Sequence, residues 1–420
     1  MAMHKIKVLN KTVIIGLLCC YSIIAYPQAN INIPKVAVPS PNASSIAVYG
    51  QIPVSLFNGL PQISIPLGNV QAGKINVPIS LNYHGGGIRP DHHPGWVGLG
   101  WDLQAGGVIT RRVVGLADEI LVREEAPNES KFSYYDHYSR LDNNNWASTD
   151  SLYVYLDDGT HRQIYPAPDE FMFNFGEYSG SFFLDHKGKW RVRSSNPLHL
   201  KVEEELEDNF TLTKQQHGGR DISLKRIFYR FTITTPDGCK YIFGGTPQSI
   251  EFTRTADEEA PHGDEYNARI AATAWYLTKI ISREGHEIDF TYERDGIQAP
   301  LASNVMIFTW NIGGVTSYSQ NDNYNVSAPI INTSYLSKIT APNQTVKFSR
   351  LASEQLGYDD LRLNLAVTPA VMYSDLCNIG SINEIKNNIK YPRLDSIAFY
   401  SDPNTLLKTI EFHYRPQTDI

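Results

Sequence analysis

The 420-residue sequence predicts a mainly β protein of antiparallel hairpin modules that form large twisted sheets or part of a β shell, with few short helices. Three observations lead there. Tyrosine (24) and phenylalanine (17) are abundant, and aromatic side chains favour strands. Apolar residues recur with a period of two in short runs, most plainly over residues 75–83, where Ile75, Val77, Ile79, Leu81 and Tyr83 alternate with Asn, Pro, Ser and Asn. Turn-forming groups punctuate these runs, among them Asn58-Gly59 and Pro236-Asp-Gly238. At 42% hydrophobic and 19% charged residues the composition is globular, with enough chain for a large core or two to three domains. The net charge is −7 and no region is basic, so a nucleic-acid partner is not expected.

Residues 1–28 are read as a signal peptide. His4, Lys5, Lys7 and Lys11 give a positive start, and residues 12–26 form an apolar run too short for the ~20 residues that span a bilayer. Cleavage is expected between Ala25 and Ala29, and any membrane contact would come only through this signal. Leu17 and Leu18 before Cys19 and Cys20 argue against lipidation. Of the other cysteines, Cys239 and Cys377 could pair in an exported protein or stay as two free thiols.

A first β domain is expected over residues 29–120. Residues 52–57, 62–67 and 75–83 read as strands, with turns at Asn58-Gly59 and over residues 69–74. Pro53, Pro66 and Pro78 lack an N–H and so are expected at an edge or a bulge. Residues 83–115 follow, in which Gly85, Gly86, Gly87, Gly95, Gly98, Gly100, Gly106 and Gly107 alternate with Trp96, Leu99, Trp101 and Leu103. The pattern predicts a loop folded tightly on itself with the indoles as apolar anchors. It leads into a strand over residues 108–114 rather than a helix, which argues against a phosphate cradle. Trp96, Gly98, Gly100, Trp101, Gly106, Gly107 and Arg111 are the residues expected to matter, all structurally.

These motifs carry a resemblance. Ile52-Pro-Val-Ser-Leu, Leu81-Asn-Tyr-His-Gly-Gly-Gly-Ile, Trp96-Val-Gly-Leu-Gly-Trp-Asp-Leu and Gly106-Gly-Val-Ile-Thr-Arg resemble the N-terminal region of exported bacterial RHS-repeat (YD-repeat) proteins. They are also similar to the related domain of toxin-complex B subunits and plasmid virulence proteins. The match is close over residues 39–118 and looser beyond. It implies a β shell around a C-terminal toxin or effector, with this region in its wall or entrance. It transfers no catalytic residue, and this chain has no tyrosine–aspartate repeat array.

Residues 121–265 are expected to form β-hairpins with polar insertions. Residues 119–149, with the Asp142 to Asn145 cluster, read as an exposed insertion; strands are expected at 151–156, 171–175, 180–184, 189–193, 229–235 and 241–243. Residues 266–420 carry a degenerate repeat: Leu277-Thr-Lys-Ile280, Leu336-Ser-Lys-Ile339 and Leu394-Asp-Ser-Ile397 each precede an alternating strand, at spacings of 59 and 58 residues. The longest helix is expected over residues 266–275, where Ala268, Ala271, Ala272 and Ala274 cluster. The chain then reads as cut short, ending just after a strand, whose open edge predicts self-association.

Candidate chemistry is sparse. His84, Asp91, His92 and His93 are close in sequence, but adjacent histidines on an extended segment point apart, and an exposed loop is expected rather than a metal site. The acidic residues 257–265 lack the spacing of a calcium loop. Glu287 and Asp289 could pair as glycosidase carboxylates, but they flank Ile288 on a hairpin and are read as a solvated face. No serine sits in a Gly-x-Ser-x-Gly elbow. Neither catalysis nor a cofactor is expected. The partners expected are the remainder of an RHS shell or a toxin or effector segment. The alternative is an exported β-rich module that binds carbohydrate or a surface protein through aromatic loops.

Overall fold

The structure is a computed structural model that describes residues 62–84, 94–114, 117–119, 134–139, 153–155, 161–163, 167–194, 199–213, 222–254, 270–298, 302–304, 307–312, 315–320, 325–327, 330–353, 391–401 and 405–414. The signal segment, the strand at 52–57, the Asn58-Gly59 turn, Asp91 to His93, the acidic 257–265 and Cys377 lie outside them. Strands β1 (Gln62–Ala72), β2 (Ile75–His84) and β3 (Trp101–Gln104) make a three-stranded sheet in that order. Strand β4 (Gly107–Arg112), a one-turn helix α1 (Tyr134–His137) and the small hairpin β5 (Tyr153–Tyr155) and β6 (His161–Gln163) follow. A meander comes next: β7 (Glu170–Phe175), β8 (Tyr178–Leu184) and β9 (Trp190–Ser194). Then come β10 (Lys201–Leu212), β11 (Ile222–Thr234), β12 (Lys240–Gly244), β13 (Ile250–Arg254), β14 (Ile270–Ile281) and β15 (Glu287–Glu293). Strands β16 (Ala302–Asn304), β17 (Ile307–Ile312), β18 (Val315–Gln320) and β19 (Asn325–Ser327) pair as β16 with β19 and β17 with β18. The last strands are β20 (Ile330–Asn332), β21 (Tyr335–Ala341), β22 (Gln344–Ala352), β23 (Pro392–Tyr400) and β24 (Leu406–Glu411). Fifteen strands share one sheet, whose main path runs β24-β23-β22-β21-β15-β14-β4-β7-β8-β9. The protein is mainly β and its strand pairs are antiparallel.

The three repeat motifs form three successive hairpins, β14–β15, β21–β22 and β23–β24, laid edge to edge in chain order. Each buries its alternate apolar residues: Ile288, Phe290 and Tyr292 on β15, Val346 and Phe348 on β22, Leu394, Ile397 and Phe399 on β23. Glu287 and Asp289 lie on the solvent side, where both pair with Lys279 at 2.7 and 3.0 Å.

The described part of the helix expected over residues 266–275 is not helical: from Ile270 onward the chain is strand β14. Tertiary pairing overrides alanine's helix propensity. β14 is paired on both edges, by β13 and β4 over its first half and by β12 and β15 over its second. The small Ala272 lies opposite Phe252 on the same face, and Phe210 stacks on Phe252 at 5.4 Å, so these rings occupy the room alanine leaves. Two bulges, at Thr273 and Thr278, shift the register between the halves. The Thr278 hydroxyl donates toward the carbonyls of Ile242 and Gly244 beside the second bulge. One consequence is that Ala274 and Trp275 are both buried in succession.

Trp275 sits at that junction with none of its surface exposed. Its indole N–H donates to the Phe228 carbonyl at 2.6 Å, and its ring meets Phe231 at 5.1 Å and Phe171 at 5.7 Å. Phe171, Phe182 and Trp190 from β7, β8 and β9 pack against Phe228 and Phe231 from β11, with centroids 5.3–5.9 Å apart. This aromatic layer is the core between the two arms that β14 joins. The small sheet covers the hairpin repeats: Lys408 donates to the Leu67 carbonyl at 2.6 Å and Gln344 to that of Asn69 at 2.9 Å.

Three further details differ from expectation. The turn expected over 69–74 is confined to Gly73 and Lys74, because β1 runs on to Ala72 through a bulge at Leu67 that brings Val70 and Ala72 inward and leaves Ile65 exposed. The exposed insertion expected from residue 119 begins buried: Glu119 and Tyr134 are 1% and 5% exposed, held by an ion pair and by a hydrogen bond to the Leu184 carbonyl. Strand β10 was not expected, because Glu204 and Asp208 interrupt the apolar series Val202, Leu206, Phe210 and Leu212.

Replacing Trp275 with Ala should cost about 3–5 kcal/mol in urea denaturation, whereas Trp101→Ala, at a half-buried site, should cost clearly less.

Candidate functional site

The glycine–tryptophan stretch builds one side of a cleft between the small sheet and the large one. The Gly98 amide donates to the Gly95 carbonyl at 3.1 Å and the Trp101 amide to that of Gly98 at 3.3 Å, closing a tight turn. Gly98, Gly100 and Gly106 have φ of 111°, 75° and 131°. At Gly106 that backbone conformation excludes a side chain, and at Gly107 a Cβ would lie 2.5 Å from the Phe175 Cβ and 3.0 Å from the Asn174 carbonyl. The two glycines thus let β4 turn away from β3 and lie directly on β7.

Trp96, Trp101 and Leu103 pack against the core as partly buried side chains. Val97 is buried, Leu99 is 37% exposed, and Trp96 and Trp101 are half-buried. Trp101 leans on Tyr83 at 5.1 Å and Trp96 on Tyr335 at 5.6 Å. The Trp96 carbonyl accepts from the Leu394 amide at 2.6 Å, which stitches the loop to β23. Turn geometry points residue 97 inward, a choice that glycine spacing alone does not encode.

Arg111 lies beneath, on the inner face of β4. Its Nη1 is 2.5 Å from Glu119 Oε2 and 3.4 Å from Asp169 Oδ2, and all three side chains are buried. The guanidinium lies over Trp275 at 5.2 Å and Phe171 at 5.7 Å, so its Nε and Nη2, which have no hydrogen-bond acceptor, face aromatic rings. Asp169 accepts from the amides of Val114 (2.7 Å) and Asp118 (3.0 Å), while Asp118 accepts from the Asp169 amide at 3.1 Å. Arg226 extends the network, donating to the Glu119 carbonyl at 3.1 Å and pairing with Asp136 of α1 at 2.5 Å.

Burial lowers the affinity of Arg111 for its proton, but the charges of Glu119 and Asp169 outweigh this and hold it above its ordinary value. Burial, and then the charge of Asp169, pushes Asp118 well up. Burial likewise raises Asp169 to about 6 against the pull of Arg111. Three carboxylates around one guanidinium could suggest acid–base chemistry. However, all four side chains are buried, none lines either of the two cavities beside the small sheet, and the contacts they make tie one segment of the chain to another.

Those cavities lie side by side and share Gln104 and Gly106 in their walls. One, of about 690 Å³, is lined by charges of both signs, including Lys74, Glu177, Asp237, Arg283 and Glu284, together with Cys239. Cys239 is a free thiol whose pKa is raised by burial and by its hydrogen bond to Asp237, which leaves it a weak nucleophile. The other, of about 450 Å³, includes Trp96, Gly106 and Gly107. His84 stands at its rim, 3.7 Å from Asp102. Among the described residues, no three His, Cys, Asp or Glu side chains converge as metal ligands.

No protein-family model and no curated protein sequence matches the chain. Among solved structures it is similar to the N-terminal domain of the effector protein SpvB from Salmonella typhimurium strain LT2, with TM-score 0.29 and 11% identity over 84% of this chain and 99% of that one. It is also similar to a chain of the Photorhabdus luminescens Tc holotoxin pore, with TM-score 0.31 and 14% identity over 85% of this chain and 14% of that one. A chain of the TcdB2–TccC3 crystal structure matches with TM-score 0.30 and 12% identity, over 83% of this chain and 14% of that one.

A carboxyl whose pKa is higher in the folded chain than in the unfolded one takes up its proton on folding, so stability rises as pH falls through the folded value. For Asp169 that window runs from about 6 down to its ordinary 3.8. The wild-type protein should therefore gain stability relative to Asp169→Asn as pH drops from 7 to 5, read as the difference between their urea midpoints.

Proposed function

We propose that this chain is a non-catalytic structural segment of an RHS-type exported protein, forming part of a β shell around or next to a toxin or effector segment. It acts outside the cell or at the bacterial cell surface, and its chemistry is that of a wall. The observation that carries the reading is the way the large sheet grows. Successive hairpins β14–β15, β21–β22 and β23–β24 add side by side in chain order. Among the described residues the sheet path ends at β24, whose Leu406 and Leu407 are 55% and 58% exposed. An array built this way accepts another strand at its edge without altering what lies inside. The resemblance of the sequence motifs at residues 81–88, 96–103 and 106–111 to those of RHS-repeat proteins supports the same reading. So does the Arg111 network, which spends its ionisable groups on internal ties.

The direct test is co-expression with a YD-repeat polypeptide encoded beside it. A stable complex in size-exclusion chromatography is expected, and two separate monomers would contradict the reading. Alone, the secreted form should self-associate in light scattering, and Leu406→Lys with Leu407→Lys should shift it toward monomer; a monomeric wild type would count against an open sheet edge.

A further inference from the structure

The 450 Å³ cavity between the two sheets holds side chains for which a wall has no use. Its size falls in the range of ~300–1,000 Å³ common for small-molecule sites. Four carboxamides line it, each from a different segment: Asn82 on β2, Gln104 on β3, Asn174 on β7 and Gln298 after β15. Asn82 donates to Gln104 Oε1 at 2.9 Å, which orients both groups and leaves the Asn82 carbonyl and the Gln104 amino group for a ligand. Gln298 donates to the Tyr335 hydroxyl at 2.8 Å, which leaves its own carbonyl available. Half-buried Trp96 and Tyr276 add aromatic rings to the same wall, and no lysine or arginine is among the described lining residues.

We propose that this cavity binds a neutral saccharide. Carboxamides offer donor and acceptor together, which suits hydroxyls that must do both. Aromatic rings suit the apolar C–H face of a sugar ring. The described lining supplies no fixed positive charge to hold a phosphate or carboxylate ligand. Asp102 at the rim can accept from two adjacent hydroxyls. Strands β4, β15 and β21 on the large-sheet side each have neighbours on both edges, so that wall presents side chains rather than free backbone for an added peptide strand. The proposal stands independently of the shell reading.

The test titrates the intact secreted protein with maltotetraose, cellotetraose and chitotetraose by calorimetry and by tryptophan emission. At least one should bind one-to-one, with a shift in emission from Trp96. Asn174→Ala and Gln104→Ala should each weaken it by about tenfold or more with the circular dichroism spectrum unchanged, and Arg283→Ala in the neighbouring cavity should not. The proposal is overturned if none of the three binds up to about 10 mM, or if both amide variants bind as the wild type does. It is overturned equally if an unstructured polypeptide occupies the cavity and the saccharides do not.

Discussion

A single buried indole fixes how the two arms of the large sheet meet. Trp275 stands where β14 passes from its pairing with β13 and β4 to its pairing with β12 and β15. Its N–H is satisfied by the Phe228 carbonyl on β11, while its ring touches Phe171 on β7 and Phe231 on β11. The hydrogen bond and one ring contact thus hold β11, and the other ring contact holds β7. An indole buried in this way needs its one donor matched, or its desolvation would oppose folding. The position is set by the bulges on either side, which bring Ala274 and Trp275 inward together.

The Arg111 network completes this joint from below. A buried ion pair adds little net stability by itself, because desolvation offsets attraction. What it does here is geometric. Arg111 on β4 binds Glu119, Asp118 and Asp169 exchange backbone contacts, and Arg226 on β11 holds Asp136 of α1. Segments that leave the sheet are thus tied back to it by polar contacts around the same rings. Burial above all, with the neighbouring carboxylates adding to it, raises Asp118 and Asp169, and a proton relieves part of that cost.

Much of the sheet is legible in the sequence wherever alternation is clean. The period of two in β2 and β15, the Pro236-Asp-Gly238 turn and the repeat spacing translate directly into strands, a turn and adjoining hairpins. Legibility fails where tertiary context sets the answer. The alanines of β14 carry a helical preference that pairing on both edges overrides. Glu204 and Asp208 interrupt the apolar side of β10. Trp96 and Trp101 draw attention by size, yet both are half-buried, while Val97 and Trp275 bury fully or nearly so. Arg111 stands out beside the glycine motif, but its partners Glu119 and Asp169 lie in stretches whose polarity looks like solvent-exposed loop. The wall of the saccharide cavity is invisible in sequence, because its four carboxamides come from residues 82 to 298 and converge only in the folded sheet.

The central claim is that β14, locked by Trp275, makes the two arms one cooperative unit. Native-state hydrogen exchange tests it most directly. The amides of Ile270–Ile281 should be among the slowest to exchange, with those of β7, β8, β11 and β12 opening at the same free energy in one transition. If the β7–β8–β9 arm and the β10–β11–β12 arm opened at separate free energies, with β14 less protected than either, the joint would not be what holds this fold together.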